Sequence, residues 1–135
     1  MPVDGPSDVS ICVVYADDAL VVLDKPSGLL SVPGRGPDKQ DCLSTRVQAV
    51  YPDALIVHRL DMATSGLMLM ARGIALQRLL SDAFATRNVV KRYEAVVAGE
   101  VEDTQGNWRE IDLPIGVDGP TAHAASLTRS MASPV

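Results

Sequence analysis

Between residues 25 and 41 the chain carries Pro26, Gly28, Pro33, Gly34, Gly36 and Pro37, a density that forbids regular structure and forces a long loop. On its N-terminal side lie two short β-branched runs, ICVVY (residues 11–15) and LVVLD (residues 20–24), separated by Ala16, Asp17, Asp18 and Ala19. That spacing predicts a hairpin. On the other side Asp41 is placed to cap a helix, Leu43, Val47 and Val50 fall at helical spacing, and Pro52 stops it.

A short strand through Leu55 and Val57 then delivers residues 58–61 to a strand end or loop, and the apolar run 67–71 reads as a strand buried on both faces. Leu76, Leu79, Leu80, Ala83 and Phe84 recur at three and four residues, so residues 75–87 are expected to form an amphipathic helix with its stripe on the sheet. Residues 91–98 return to strand alternation, with Tyr93, Ala95 and Val97 on one face and Arg92, Glu94 and Val96 on the other. Strand and helix alternate loosely, which predicts an α+β domain with a mixed sheet.

A length of 135 residues with 47% hydrophobic content suits one small domain. Cys12 and Cys42 lie far apart with no secretory pattern before them, which favours a reducing cytoplasm over a disulfide scaffold. No apolar run approaches the roughly 20 residues that span a bilayer, so a soluble protein without membrane contact is expected. Two histidines and two scattered cysteines do not make a credible zinc set, and there is no GxxxxGK phosphate loop, so neither metal nor cofactor is expected.

The net charge of −5 argues against nucleic-acid binding on its face, yet it conceals a split. From residue 25 to 92 there are ten basic side chains against five acidic ones, and the remainder carries −10. A basic middle of that kind either faces RNA or is an ordinary solvated surface.

Within that middle, VHRLDMATSGLMLMAR (residues 57–72) sets Asp61 among basic and hydroxylated residues just before the apolar run. Read from the residues alone, Asp61 is a turn former, a salt-bridge partner of Arg59 or a reactive carboxylate. The string HRLD followed by xxTSG resembles the active-site signature of the RluA family of RNA pseudouridine synthases. Two further blocks, LDKPSGLLSVPGRG (residues 23–36) and KRYEAVVAG (residues 91–99), resemble that family's opening segment and its KxYxAxVxG strand. The wording is closest to the dual-specificity branch, which modifies ribosomal and transfer RNA.

The resemblance implies the pseudouridine synthase catalytic fold, α+β with a mainly antiparallel sheet and flanking helices. It implies Asp61 as the catalytic nucleophile, Tyr93 as the tyrosine that packs on the target base, and Arg59 as the arginine that fills the space of a flipped nucleotide. His58, Lys25, Arg35 and Lys91 are expected to help bind RNA, and no cofactor is implied, because every bond broken or formed belongs to one substrate. Residues 9–118 are expected to be the N-terminal part of that domain. After EIDLPI (residues 110–115) the family pattern stops, and residues 119–135 are expected to be an atypical, disordered tail. With freely chosen synonymous codons, one base restored after the Asp118 codon permits the reading DWPDRPRRKPDPEYGKPG, so a frameshift is one origin of that tail and truncation with an unrelated tail the other. Two alternatives to the enzyme are a non-catalytic RNA-binding remnant and a hydrolase using Asp61 with His58.

Overall fold

The computed structural model describes residues 10–101, 105–106, 108–117 and 125–127. The chain divides into two compact units, Met1–Tyr93 and Glu94–Val135. In the first, strands β1 (Val13–Ala16), β2 (Leu20–Lys25), β3 (Ala54–Ile56) and β4 (Gly66–Arg72) form a sheet of order β1-β2-β4-β3 with every neighbour antiparallel. The expected hairpin is β1–β2. Its turn is closed by Asp17, whose carboxylate accepts the amides of Ala19 and Leu20 at 2.8 and 2.9 Å, an aspartate-centred turn that frees no backbone donor to compete with the ladder.

Strand alternation decides which residues enter the core. In β2 the buried positions are Val21, Leu23 and Lys25, and they face Met70, Met68 and Gly66 of β4. Helix α1 (Leu43–Val50) closes this face with Leu43 and Val47, and Ala54 and Leu60 complete the cluster. The expected burial of residues 67–71 on both faces is not found: Met68 and Met70 are fully buried, whereas Leu67 is 65% exposed and Leu69 half-buried. Helix α2 (Ile74–Ala85) forms where the periodicity placed it, but it contributes no residue to the buried cluster, and Leu79 of its stripe is exposed.

Two local expectations fail for physical reasons. Asp41 does not cap α1, because its carboxylate accepts from Nε and Nη2 of the Arg46 guanidinium, each at 2.8 Å. The first-turn amides of Leu43 and Ser44 instead donate to the carbonyls of Leu30 and Ser31, so the proline-glycine loop supplies the cap from its backbone. Residues 91–98 form no strand: they are exposed and enter none of the described strand ladders, and alternation alone, with no ladder to join, does not make a strand.

In the second unit β5 (Ile115–Val117) pairs antiparallel with β6 (Ala125–Leu127). Apart from residues 125–127, the tail 119–135 lies outside the described residues. Among the described residues no helix is long and apolar enough to cross a membrane, and no group of three metal-ligating side chains converges.

Candidate active site

Asp61 stands in a tight turn that joins the end of β3 to β4, closed by the Thr64 amide donating to the Asp61 carbonyl at 3.0 Å. Alternation again sets its direction. Leu60 points into the core at 7% exposure, and the next side chain, Asp61, points out to solvent. Gly66 ends the turn at φ +119, a backbone setting that a residue with a Cβ adopts only under strain, and there β4 begins.

What fixes this turn is the loop between β2 and α1. The Ser31 hydroxyl, buried, bonds both the carbonyl and the amide of Leu60. The Gly28 amide donates to the Met62 carbonyl at 2.7 Å, and the Ser27 hydroxyl donates to the Ala63 carbonyl at 2.7 Å. Residues on either side of Asp61 are thus held through their backbone, while its carboxylate has no hydrogen bond or ion pair among the described residues. A reactive group fixed in place by its neighbours loses little freedom when a substrate arrives.

Beneath the turn lies Lys25. Its side chain is fully buried, and its ammonium donates to the carbonyls of Pro26 at 3.0 Å, Leu29 at 2.6 Å and Met62 at 3.1 Å. An ammonium has three donors, so the carbonyl set matches the charged form and satisfies it completely. Burial pulls the Lys25 pKa below the ordinary lysine value, and the nearby Asp61 carboxylate pulls it back up. Lys25 is therefore not the phosphate contact expected from the sequence: every proton it could offer is already bonded inside the protein. The signal was present in its parity with Val21 and Leu23, which puts it on the core face.

His58 is likewise turned inward. Its Nε2 accepts the Leu69 amide at 3.0 Å, and its ring stacks on Phe84 with centroids 4.3 Å apart at 14°. Burial lowers its pKa, and the Lys91 charge lowers it further. An RNA contact through Nε2 is thereby excluded, and so is a role as base toward Asp61 through that atom.

The remaining expected residues are on the surface. Arg59 is exposed and makes no hydrogen bond or ion pair among the described residues, so the Arg59–Asp61 salt bridge is not formed. Arg35 is exposed on the proline-glycine loop. Lys91 is exposed with its ammonium 5.9 Å from the Phe84 ring centre. Tyr93 is 59% exposed and has no hydrogen bond to a described residue. The structure thus gathers Lys25, Arg59 and Asp61 at one turn, and sets His58 and Lys91 against the Phe84 ring. Sequence reasoning missed Ser27, Ser31 and Phe84, whose roles depend on which distant backbone or ring they meet. An open depression of about 480 Å³ lies beside the clamp, lined by Lys25, Pro26 and Ser65 among others, but Asp61 is not part of its wall.

A family model described as RNA pseudouridylate synthase matches residues 19–128. The chain is 45% identical over 115 residues to the dual-specificity RNA pseudouridine synthase RluA of Vibrio parahaemolyticus, covering 85% of this chain and 45% of that protein. The protein of the same name from Escherichia coli strain K12 is 44% identical over 115 residues, covering 85% and 51%, and that of Yersinia pestis 47% identical over 108 residues, covering 80% and 51%. The chain spans about half the length of the curated relatives it matches. Among solved structures, human RNA pseudouridylate synthase domain containing 4 superposes with a TM-score of 0.48 at 26% identity, covering 57% of this chain and 30% of that one.

Proposed function

The chain belongs to the RNA pseudouridylate synthase family, and from that premise we propose that it isomerises uridine to pseudouridine in ribosomal or transfer RNA, in the cytoplasm, with Asp61 as the nucleophile. The single observation that carries this reading is the clamp: the residues flanking Asp61 are tied down by residues 27–31 while its carboxylate is left exposed, with no hydrogen bond or ion pair among the described residues.

In the reaction the Asp61 carboxylate attacks the ribose C1′ as its bond to uracil N1 breaks, and the freed uracil turns; C5 then bonds to C1′ as the Asp61–C1′ bond breaks and frees the carboxylate, and C5 loses its proton while N1 takes one up. No electrons leave the substrate, so no redox cofactor is called for. The base must first leave its stack, since its glycosidic bond is otherwise hidden. Arg59, exposed two residues before Asp61, is suited to enter the vacated space, and Tyr93 to pack on the extruded base and assist proton removal. Arg35 and Lys91 are free to approach phosphates. The buried Lys25 ammonium keeps a positive charge near the carboxylate in a place that no phosphate can occupy.

Incubating the chain with transfer RNA and ribosomal RNA fragments, followed by chemical mapping of pseudouridine, tests the reading. Asp61→Asn should reduce isomerisation to less than about a thousandth while RNA affinity is retained. Binding by the wild-type chain with no pseudouridine formed would instead favour a non-catalytic RNA-binding module.

A further inference from the structure

We propose that His58 is a positioning residue for Asp61: its neutral imidazole takes the place of a strand carbonyl, ends β3, and sets the path along which the chain reaches the catalytic turn. The inference rests on the reading of Asp61 as the reacting group, but its geometric content stands apart from that reading. Along β4 alternate amides serve opposite neighbours. The Arg72 amide reaches the Ala19 carbonyl on the β2 side, and the Gly73 amide reaches the Asp53 carbonyl on the β3 side. The amides on the β3 side therefore belong to residues 69, 71 and 73, and the register Leu55↔Ala71 makes Val57 the next acceptor that Leu69 would meet. The ladder stops at Ile56, and the Leu69 amide is taken by His58 Nε2 at 3.0 Å. One residue on, the chain is free of the sheet, with Arg59 outward, Leu60 in the core and Asp61 outward.

The ring is held for this task. Phe84 covers one face of it at a centroid distance of 4.3 Å, and Gln77 of the same helix donates to the Ile56 carbonyl at 2.9 Å, so α2 braces both the end of β3 and the imidazole. Because Nε2 accepts, the ring proton must reside on Nδ1. An imidazolium has no acceptor, so protonation breaks the contact. The groups around the ring resist that change: β4 carries no ionisable side chain before Arg72, α2 presents Phe84 while its own Arg78 and Asp82 are exposed, and the chain beyond α2 brings the Lys91 ammonium within 5.9 Å of the Phe84 ring centre. On its own segment the nearest charges are the exposed Arg59 and Asp61. With its pKa lowered by burial and by Lys91, the ring stays neutral and the contact intact at and somewhat below the ordinary imidazole value of 6.5, and the contact breaks as the pH falls through the lowered value; the stability it lends declines from 6.5 downward, where the unfolded chain accepts the proton first.

The test is an NMR titration of the full chain with isotope-labelled histidine, the signals of His58 and His123 being separated by His58→Gln. His58 should show the Nδ1–H tautomer and titrate below 6.5, and the amides of Leu69 and of residues 59–61 should move with the same midpoint. The amide oxygen of His58→Gln reaches the place of Nε2, so this variant should keep those amides at their neutral-pH positions and abolish their movement in acid. His58→Phe keeps the stack on Phe84 without an acceptor. It should displace the amides of residues 59–61 and lower kcat for isomerisation between about ten- and a hundredfold with KM little changed, and the glutamine variant should recover most of that loss. Should His58→Phe fail to fold, the wild-type titration decides alone. A His58 that titrates at or above the ordinary value, a Leu69 amide indifferent to it, or residues 59–61 unmoved in His58→Phe would each overturn the proposal. If the amides respond as expected but no form of the chain makes pseudouridine, the positioning role stands and the catalytic reading of Asp61 falls.

Discussion

At the Arg72 end of β4 the guanidinium lies over the Tyr51 ring at 5.4 Å, binds the Asp53 carboxylate at 3.1 Å and donates to the Asp17 carbonyl at 3.0 Å. At the Gly66 end the cation is Lys25, and it is bonded to three carbonyls while Asp61 nearby has no bonding partner among the described residues. Both ends of one strand hold a cation and an acid, yet only the first pairs them. Where charges serve the fold they neutralise each other; where the carboxylate is withheld, the fold has found other acceptors for the cation. That contrast, more than exposure alone, is what supports the proposal of Asp61 as the reacting group.

Removing the Lys25 ammonium should break the contrast most severely. Lys25→Met leaves the buried carbonyls of Pro26, Leu29 and Met62 without their donor, and urea denaturation should show a loss of about 2–4 kcal/mol; unchanged stability would mean that the ammonium ties nothing together. Ser31→Ala, which strips the Leu60 amide and carbonyl of their shared hydroxyl, should cost about 1–2 kcal/mol in the same measurement and lower kcat as well, since it loosens the turn beside Asp61. At the opposite end Asp53→Asn removes one partly exposed ion pair and should cost no more than about 1 kcal/mol, with isomerisation unaffected. If Asp53→Asn slowed isomerisation as much as Ser31→Ala, the division of labour between the two ends would be wrong.

The elements within the first unit were legible where local pattern and packing agree. Leu43 and Val47 announced α1, the two β-branched runs separated by residues 16–19 announced the hairpin, and the leucine stripe announced α2. Residues 91–98 alternate as a strand should, but alternation specifies only a face, and a strand also requires an edge to join. The position of Asp61 was readable by resemblance, whereas its support was not. Lysine is the residue least expected inside a protein, and a serine gives no sign in sequence of which distant carbonyl its hydroxyl will meet. Lys25 and Ser31 were therefore invisible as structural ties, although the same-face parity of Val21, Leu23 and Lys25 was on view throughout.

Ser31 has one more consequence. Its carbonyl receives the Ser44 amide at the head of α1, and its hydroxyl grips both polar groups of Leu60. A single residue thus bolts the core helix to the peptide next to Asp61. Any disturbance that tilts or frays the start of α1, whether heat or a substitution at Leu43, will be delivered to the carboxylate through that bolt. Activity should fade with the first loosening of the helix, well before the sheet itself comes apart.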